Sequence, residues 1–248
     1  MPGSIMRAMP AIDLVRRRLD MVEHQIAARG VRSELVLEAM RKIPRQQFLP
    51  PPLREFAYED SPLPIAEGQT ISQPYIVAFM ADALLLGGGE HVLEIGTGSG
   101  YAAAVLAEIA ANVYSVERIG QLAEKAAVKL ADMGYDNVHV LHADGTKGWP
   151  EHAPYDAIVV AAGGPKIPES LQQQLKVGGR LVIPVGTEVR VQELVRVTRI
   201  SQTEFRREDL ADVCFVPLLG KEGWEPETEP PPDESSRLSR PPNGLCRV

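Results

Sequence analysis

The chain has 248 residues, 44% of them hydrophobic and 24% charged, and carries a formal net charge of -7 at neutral pH. That length suffices to bury one substantial core, and the acidic balance excludes the broad basic surface on which nonspecific nucleic-acid binding rests. Cys214 and Cys246 are the only cysteines and no apolar run reaches the length of a membrane span, so a reducing, cytoplasmic setting without nucleic-acid or membrane partners is expected.

Residues 1–20 read as a leader and the start of an N-terminal helix. Ile12, Val15, Leu19, Val22 and Ile26 recur at intervals of three and four, which predicts one helical stripe ending at Gly30, with Arg16 to Arg18 on a solvated face. Ser33 is placed to cap a second helix running to Met40. Prolines at 44, 50, 51, 52, 62 and 64 then impose a long irregular connection. Pro74 suits the first turn of a helix reaching Leu86, which puts Ser72 near its N-cap. From that position the Ser72 hydroxyl has two readings, a cap for the Tyr75 N–H or a group free for a ligand.

The stretch around which the chain is organised is Val92-Leu-Glu-Ile-Gly-Thr-Gly-Ser-Gly-Tyr101. Apolar residues run into glycines at 96, 98 and 100, as where a buried strand turns sharply into a helix and the backbone approaches a nucleoside ligand. A dinucleotide fingerprint would want a small residue at 101, where Tyr101 stands. Further strands are expected at 112–117, 137–141, 155–161 and 180–185, with helices at 121–133 and 168–175, hence a parallel sheet covered on both faces. Segments 192–200 and 213–216 have no helix between them and predict an antiparallel edge. The proline-rich residues 224–248 predict a disordered tail in which Cys246 is incidental. Histidines 24, 91, 139, 142 and 152 show no ligand spacing, so no metal is expected.

Gly68-Gln-Thr-Ile-Ser-Gln-Pro-Tyr75 followed by the glycine stretch resembles the protein-L-isoaspartate O-methyltransferase family. The resemblance runs from about Met21 to Leu219 and continues through Tyr114-Ser-Val-Glu-Arg118, Ala143-Asp-Gly145, Tyr155-Asp-Ala-Ile-Val159, residues 177–186 and Phe215-Val-Pro-Leu218. Ala66 and Ala143 stand where the family often has glycine. It implies a doubly wound α/β, mostly parallel, Rossmann-like methyltransferase sheet with an antiparallel edge and added N-terminal helices. One domain would span 21–223, with N-terminal helices and substrate loop at 21–86, a cofactor core at 87–186 and C-terminal strands at 187–223.

The implied cofactor is S-adenosyl-L-methionine, leaving as S-adenosyl-L-homocysteine, and the implied partners are isoaspartyl-containing proteins and peptides met by a monomer. By the same resemblance the cofactor would touch Thr70, Ile71, Ser72, Gln73, Glu94, Gly96, Thr97, Gly98, Ser99, Gly100, Glu117, Arg118, Asp144 and Gly145. Glu117 ends a strand at the spacing where a carboxylate takes ribose hydroxyls. Asp144 or the Gly145 N–H would read the adenine edge, unless Asp-Gly is only a turn. Glu94 would either orient the glycine turn or approach the methionine moiety. Ser72 is the expected catalytic residue, and Val213 and Phe215 would pair with the substrate main chain or form an ordinary core strand. Competing readings are a methyltransferase for another substrate and a non-catalytic S-adenosylmethionine-binding module; Tyr101 and the lack of a Tyr-x-x-x-Lys disfavour a dehydrogenase.

Overall fold

The computed structural model describes residues 11–188 and 191–225; the leader at 1–10 and the tail from 226 onward, with Cys246, lie outside the described residues. Helix α1 (Ala11–Asp20) runs into a π-helical turn at Met21–Ile26 and a 3-10 turn at Ala27–Arg29, ending at Gly30 with φ 101°. Met21, Val22 and Ile26 are fully buried, whereas Val15 and Leu19 are almost half exposed. The i→i+5 winding re-phases the inward face, so a stripe drawn at 3.6 residues per turn does not carry through. Nor is the arginine run merely solvated, since Arg17 Nη1 donates to Glu55 O at 2.7 Å.

Helix α2 (Glu34–Lys42) starts at Ser33, whose Oγ accepts from Val36 N at 3.5 Å. The proline-rich connection contains 3-10 turns at Arg45–Phe48 and Pro51–Phe56, followed by a two-stranded hairpin that the prolines conceal in the sequence. Its strands β1 (Leu63–Pro64) and β2 (Thr70–Ile71) pair antiparallel. At the tip Glu67 and Gly68 both have left-handed backbone, φ 58° and 66°, and Gln69 N donates to Ala66 O at 3.1 Å. Two consecutive left-handed residues make the primed turn whose twist suits a tight hairpin. Helix α3 (Pro74–Ala83) begins at once, with Pro74 in the first turn where its missing N–H costs nothing.

Period-two alternation governs the sheet. Strands β3 (His91–Ile95), β4 (Asn112–Glu117), β5 (Val138–His142), β6 (Tyr155–Val160), β7 (Leu175–Glu188), β8 (Val191–Arg199) and β9 (Phe205–Val213) stand in the order β5-β4-β3-β6-β7-β8-β9. Pairings among β3 to β7 are parallel, and β8 and β9 are antiparallel. Val92, Val113, Ala157 and Val159 belong to one core; Leu93, Val116, Ile158 and Val160 belong to the other. Strands apolar on both faces must be covered on both faces. Buried residues of α2, α3 and α4 (Tyr101–Ala107), with Leu130 of α5 (Gly120–Asp132), complete the first core, and Leu171 of α6 (Glu169–Gln173) enters the second.

The antiparallel edge exists, but its outer strand is β9 and not 213–216. Phe-Arg-Arg-Glu-Asp-Leu-Ala-Asp-Val has no apolar alternation, because on a sheet edge only Val213 is buried and the charges face water. Within the sheet, truncation should be costly: Ile158→Ala is expected to destabilise the chain by about 2 to 5 kcal/mol, read from urea denaturation, because Ile158 is fully buried.

Candidate active site

The strand order reverses at β3, which has β4 on one side and β6 on the other. Ligand crevices in such sheets open beyond the carboxyl ends of the strands at that point. A cavity of about 340 Å³ lies there, lined by Ile95 and Val116 at the ends of β3 and β4 and by Ala161 just past β6. Gly96, Gly98 and Gly100 have φ of 95°, 54° and 88°. At Gly98 the left-handed backbone also aims the N–H at Glu117 Oε2, 2.9 Å away.

Glu117 is 6% exposed and its other oxygen, Oε1, accepts from Ile119 N at 2.9 Å. One carboxylate thus joins the turn after β3 to the turn after β4, while Glu117 still lines the cavity with acceptor capacity to spare. Tyr101 borders the cavity at the start of α4. Its ring is buried against Phe48 in an edge-on contact at 5.5 Å, with the Arg45 guanidinium over it at 4.9 Å. The aromatic residue at 101 therefore anchors the N-terminal layer to the first turn of α4.

Glu94 is 1% exposed on the face of β3 that α3 and α4 cover. It borders a small, nearly all-apolar chamber with Val77, Met80, Ala102, Val105 and Ser72. Ser115 Oγ donates to Glu94 Oε2 at 2.5 Å, and Thr97 Oγ1, 2.5 Å from Ser115 Oγ, is then the donor in that pair. Oε1 is buried without a hydrogen-bond partner. Burial pushes the Glu94 carboxyl up to about 8; the Ser115 hydrogen bond opposes the shift, and the Glu117 charge adds to it.

A second wall of the cavity is the hairpin arm Gly68 to Ser72. Ser72 precedes the helix cap residue Gln73, and its hydroxyl has no hydrogen-bond partner among the described residues. The Tyr75 N–H that a capping serine would take is held by Asp60 Oδ1 at 3.3 Å. Of the two roles open to Ser72 in the sequence, the cap is already filled. Val216 to Leu219 form a third wall. This segment crosses the ends of the strands, with Gly163 N donating to Val216 O and Leu218 N to Gly163 O, both at 2.8 Å. Arg118, beside Glu117, is the one basic residue among the described residues lining the cavity.

A model of the protein-L-isoaspartate(D-aspartate) O-methyltransferase family matches residues 16–223. The chain belongs to this family. The protein-L-isoaspartate O-methyltransferase of Rhodopseudomonas palustris is 63% identical over 220 residues, covering 89% of this chain and 99% of that protein. That of Brucella anthropi is 56% identical over 209 residues, 84% of this chain and 96% of the relative. A solved protein-L-isoaspartate O-methyltransferase superposes with a TM-score of 0.75 at 31% identity, covering 84% of this chain and 67% of that one. A Plasmodium falciparum structure, described as a beta-aspartate methyltransferase in complex with S-adenosyl-L-homocysteine, gives a TM-score of 0.71 at 26% identity over 82% of this chain and 98% of that one.

In this isoaspartate methyltransferase family member Thr70, Ile71, Ser72, Gly96, Thr97, Gly98, Ser99, Glu117, Arg118 and Gly145 line one cavity. Others among the expected site residues stand back from it. Gln73 is 7% exposed and donates through Nε2 to Asp60 Oδ2 at 2.7 Å. Gly100 faces Leu130. Asp144 is committed to its own chain: Oδ1 accepts from Thr146 N and Oγ1 at 3.0 and 2.7 Å, and Oδ2 from Lys221 N at 2.9 Å. Although burial opposes it, these bonds hold the Asp144 carboxyl below its usual range. Gly145, next to it, lines the cavity and packs so closely on Ile95 that a Cβ there would collide with Ile95 Cγ2.

Val213 and Phe215 are not on the cavity wall. Val213 is 5% exposed and paired with Gln192 in the sheet. Phe215 N donates to Gln192 Oε1 at 2.8 Å and Phe215 O accepts from Gln192 Nε2 at 3.1 Å, so its main chain is already occupied. Ala161, Val216 and Leu219 were not among the expected site residues. Small and apolar, they carry no chemical signal, and only the crossing of the chain over the strand ends brings them together.

A carboxyl whose folded-state pKa lies near 8 against an ordinary 4.5 binds more protons folded than unfolded between those values. Stability of the cofactor-free chain should therefore fall as pH rises through that window and level off above about 8. Relative to Glu94→Gln, the native chain is expected to lose on the order of a few kcal/mol between pH 5 and 8 in urea titrations. Parallel pH dependences for the two proteins would contradict it.

Proposed function

We propose that this chain transfers a methyl group from S-adenosyl-L-methionine to the free α-carboxylate of L-isoaspartyl residues in damaged proteins and peptides. The ester so formed starts repair to aspartyl by way of a succinimide. Family membership supplies the reaction class. The observation that carries the assignment of roles is one cavity holding both the Glu117-clamped glycine turn and a Ser72 hydroxyl released from capping.

The residues fit the methyl donor: the turn has no side chains at Gly96 and Gly98 to fill the crevice, and Glu117 retains lone pairs for ribose hydroxyls. Gly96 to Ser99, Glu117, Arg118 and Gly145 would hold it, with Thr70 and Ile71 on the opposite wall. When bound, that cofactor supplies an electrophilic methyl on a sulfonium. An α-carboxyl titrates at about 3.3 to 3.7, so the acceptor arrives ionised and no general base is needed. What the chain must supply is alignment, which lowers barriers of this kind by roughly 7 to 11 kcal/mol.

Carboxylate and sulfonium charges both shrink as the methyl moves, so a basic clamp on the attacking oxygen would favour reactants over the transition state. The Ser72 hydroxyl is a neutral donor that orients the carboxylate with less of that penalty. Recognition of an isoaspartyl kink in many sequence contexts calls for main-chain contacts; in the wall from Val216 to Leu219, Val216 O, Leu218 N and Leu218 O are taken by Gly163 and Trp224, and the main-chain groups left over, such as Pro217 O, are the ones available to an acceptor. The same reading makes residues 21–223 one methyltransferase domain, acting as a monomer in the cytoplasm on damaged proteins.

Incubation with labelled S-adenosyl-L-methionine and matched L-isoaspartyl and L-aspartyl peptides should give base-labile methyl ester on the isoaspartyl peptide alone; equal labelling of both would refute the assignment. Loss of one hydrogen bond to a charged group predicts a kcat roughly 10- to 150-fold lower for Ser72→Ala, with cofactor affinity unchanged by calorimetry.

A further inference from the structure

The arm that carries Ser72 is fixed from outside by one side chain. Asp60 accepts three side-chain or main-chain donors through its carboxylate: Tyr75 N at 3.3 Å on Oδ1, and on Oδ2 Gln73 Nε2 at 2.7 Å and Arg29 Nη1 at 2.5 Å. Its main-chain oxygen accepts from Gln73 Nε2 as well, at 3.2 Å. Gln73, next to Ser72, is thereby held at two points. On the other side of Ser72, Ile71 is paired with Leu63 in the hairpin. The Arg29 guanidinium lies 3.5 Å over the Tyr75 ring, so the cation that balances Asp60 is itself seated on the first turn of α3.

This arrangement inverts the usual division of labour at a helix start. A serine just before a helix ordinarily spends its oxygen on an N–H of the first turn. Here a carboxylate fifteen residues upstream takes that N–H, and a carboxylate is the stronger acceptor for it. The consequence is a serine whose backbone is pinned on both sides and whose hydroxyl is left for another partner. Without Asp60, the Tyr75 N–H would lack this acceptor, and the nearest hydroxyl in sequence is that of Ser72.

We propose that Asp60 is a positioning residue for methyl transfer: it caps α3 in place of Ser72 and so keeps the Ser72 hydroxyl free and aimed at the acceptor carboxylate. This rests on the reading of Ser72 given above. Asp60 touches neither cofactor nor acceptor; it acts through Gln73, Tyr75 and Arg29. The ion pair with Arg29 offsets the negative charge that Asp60 brings near a site receiving a carboxylate.

The test uses the full chain with an L-isoaspartyl peptide, in steady state well below the melting temperature. Asp60→Ala, Ser72→Ala and the double variant are compared for kcat, peptide KM and cofactor Kd. The expected result is that Asp60→Ala lowers kcat by nearly as much as Ser72→Ala, roughly 10-fold or more, with cofactor Kd unchanged. The double variant should be no slower than Ser72→Ala, since both changes remove the same contact. Asp60→Asn, which keeps one oxygen for the Tyr75 N–H, should regain most of the turnover. Ser72→Ala impaired with Asp60→Ala at native turnover overturns this proposal alone, as do equal fold-losses from Asp60→Ala in the native and Ser72→Ala backgrounds. Ser72→Ala at native turnover overturns the Ser72 assignment and the Asp60 role together. If Asp60→Ala fails to fold, Asp60→Leu, which keeps the side-chain volume but offers no acceptor to the Tyr75 N–H, is measured in both backgrounds: a loss that disappears when Ser72 is absent supports the proposal, and equal losses or native turnover overturn it.

Discussion

Two backbone N–H groups, those of Gly98 and Ile119, converge on the carboxylate of Glu117. Each belongs to a turn leaving the carboxyl end of a parallel strand, where the sheet's own ladder has run out and the donors need new acceptors. By accepting both, Glu117 sets the distance between the turns after β3 and β4, and with it the floor of the cavity. A single buried carboxylate is able to do this because each of its two oxygens can take a separate donor.

One layer below, a second carboxylate meets the opposite circumstances. Glu94 sits on the face of the same sheet that α3 and α4 cover, among Val77, Met80 and Leu106, with one oxygen on Ser115 and the other without a partner. The two acids are close enough for the charge of one to raise the pKa of the other. Their environments separate them: Glu117 is met by backbone donors, and Glu94 by methylenes. The Glu94–Ser115–Thr97 chain of bonds ties the buried acid to the glycine turn.

Two walls of the cavity are held by side chains that stand in for backbone. Asp60 supplies the acceptor that a cap residue would, and the Gln192 amide supplies the N–H and C=O that a neighbouring strand would, to Phe215. A Cβ at Gly163 would push the Gln192 amide out of these bonds. Further along, Asp144 accepts from Lys221 N and Trp224 Nε1 donates to Gly163 O at 2.9 Å, so the third wall is fastened at both ends.

Much of this was legible in the amino-acid order. Strands buried on both faces announce themselves as runs such as Val92 to Ile95, glycines at 96, 98 and 100 announce a turn, and Glu117 marks the end of the next strand, because each signal is local and lies within one element and its turn. The motif from Gly68 to Tyr75 identified the family for the same reason. The sequence determined, by itself, the parallel core, the glycine turn and the family. Only the tertiary structure decided that β9 and not 213–216 makes the edge, that Asp144 serves the 217–224 loop, and that Ser72 is free of its helix. Those outcomes depend on which of several polar groups reaches a given N–H first across 15 to 77 residues of chain, a competition among distant partners that no local pattern of side chains encodes.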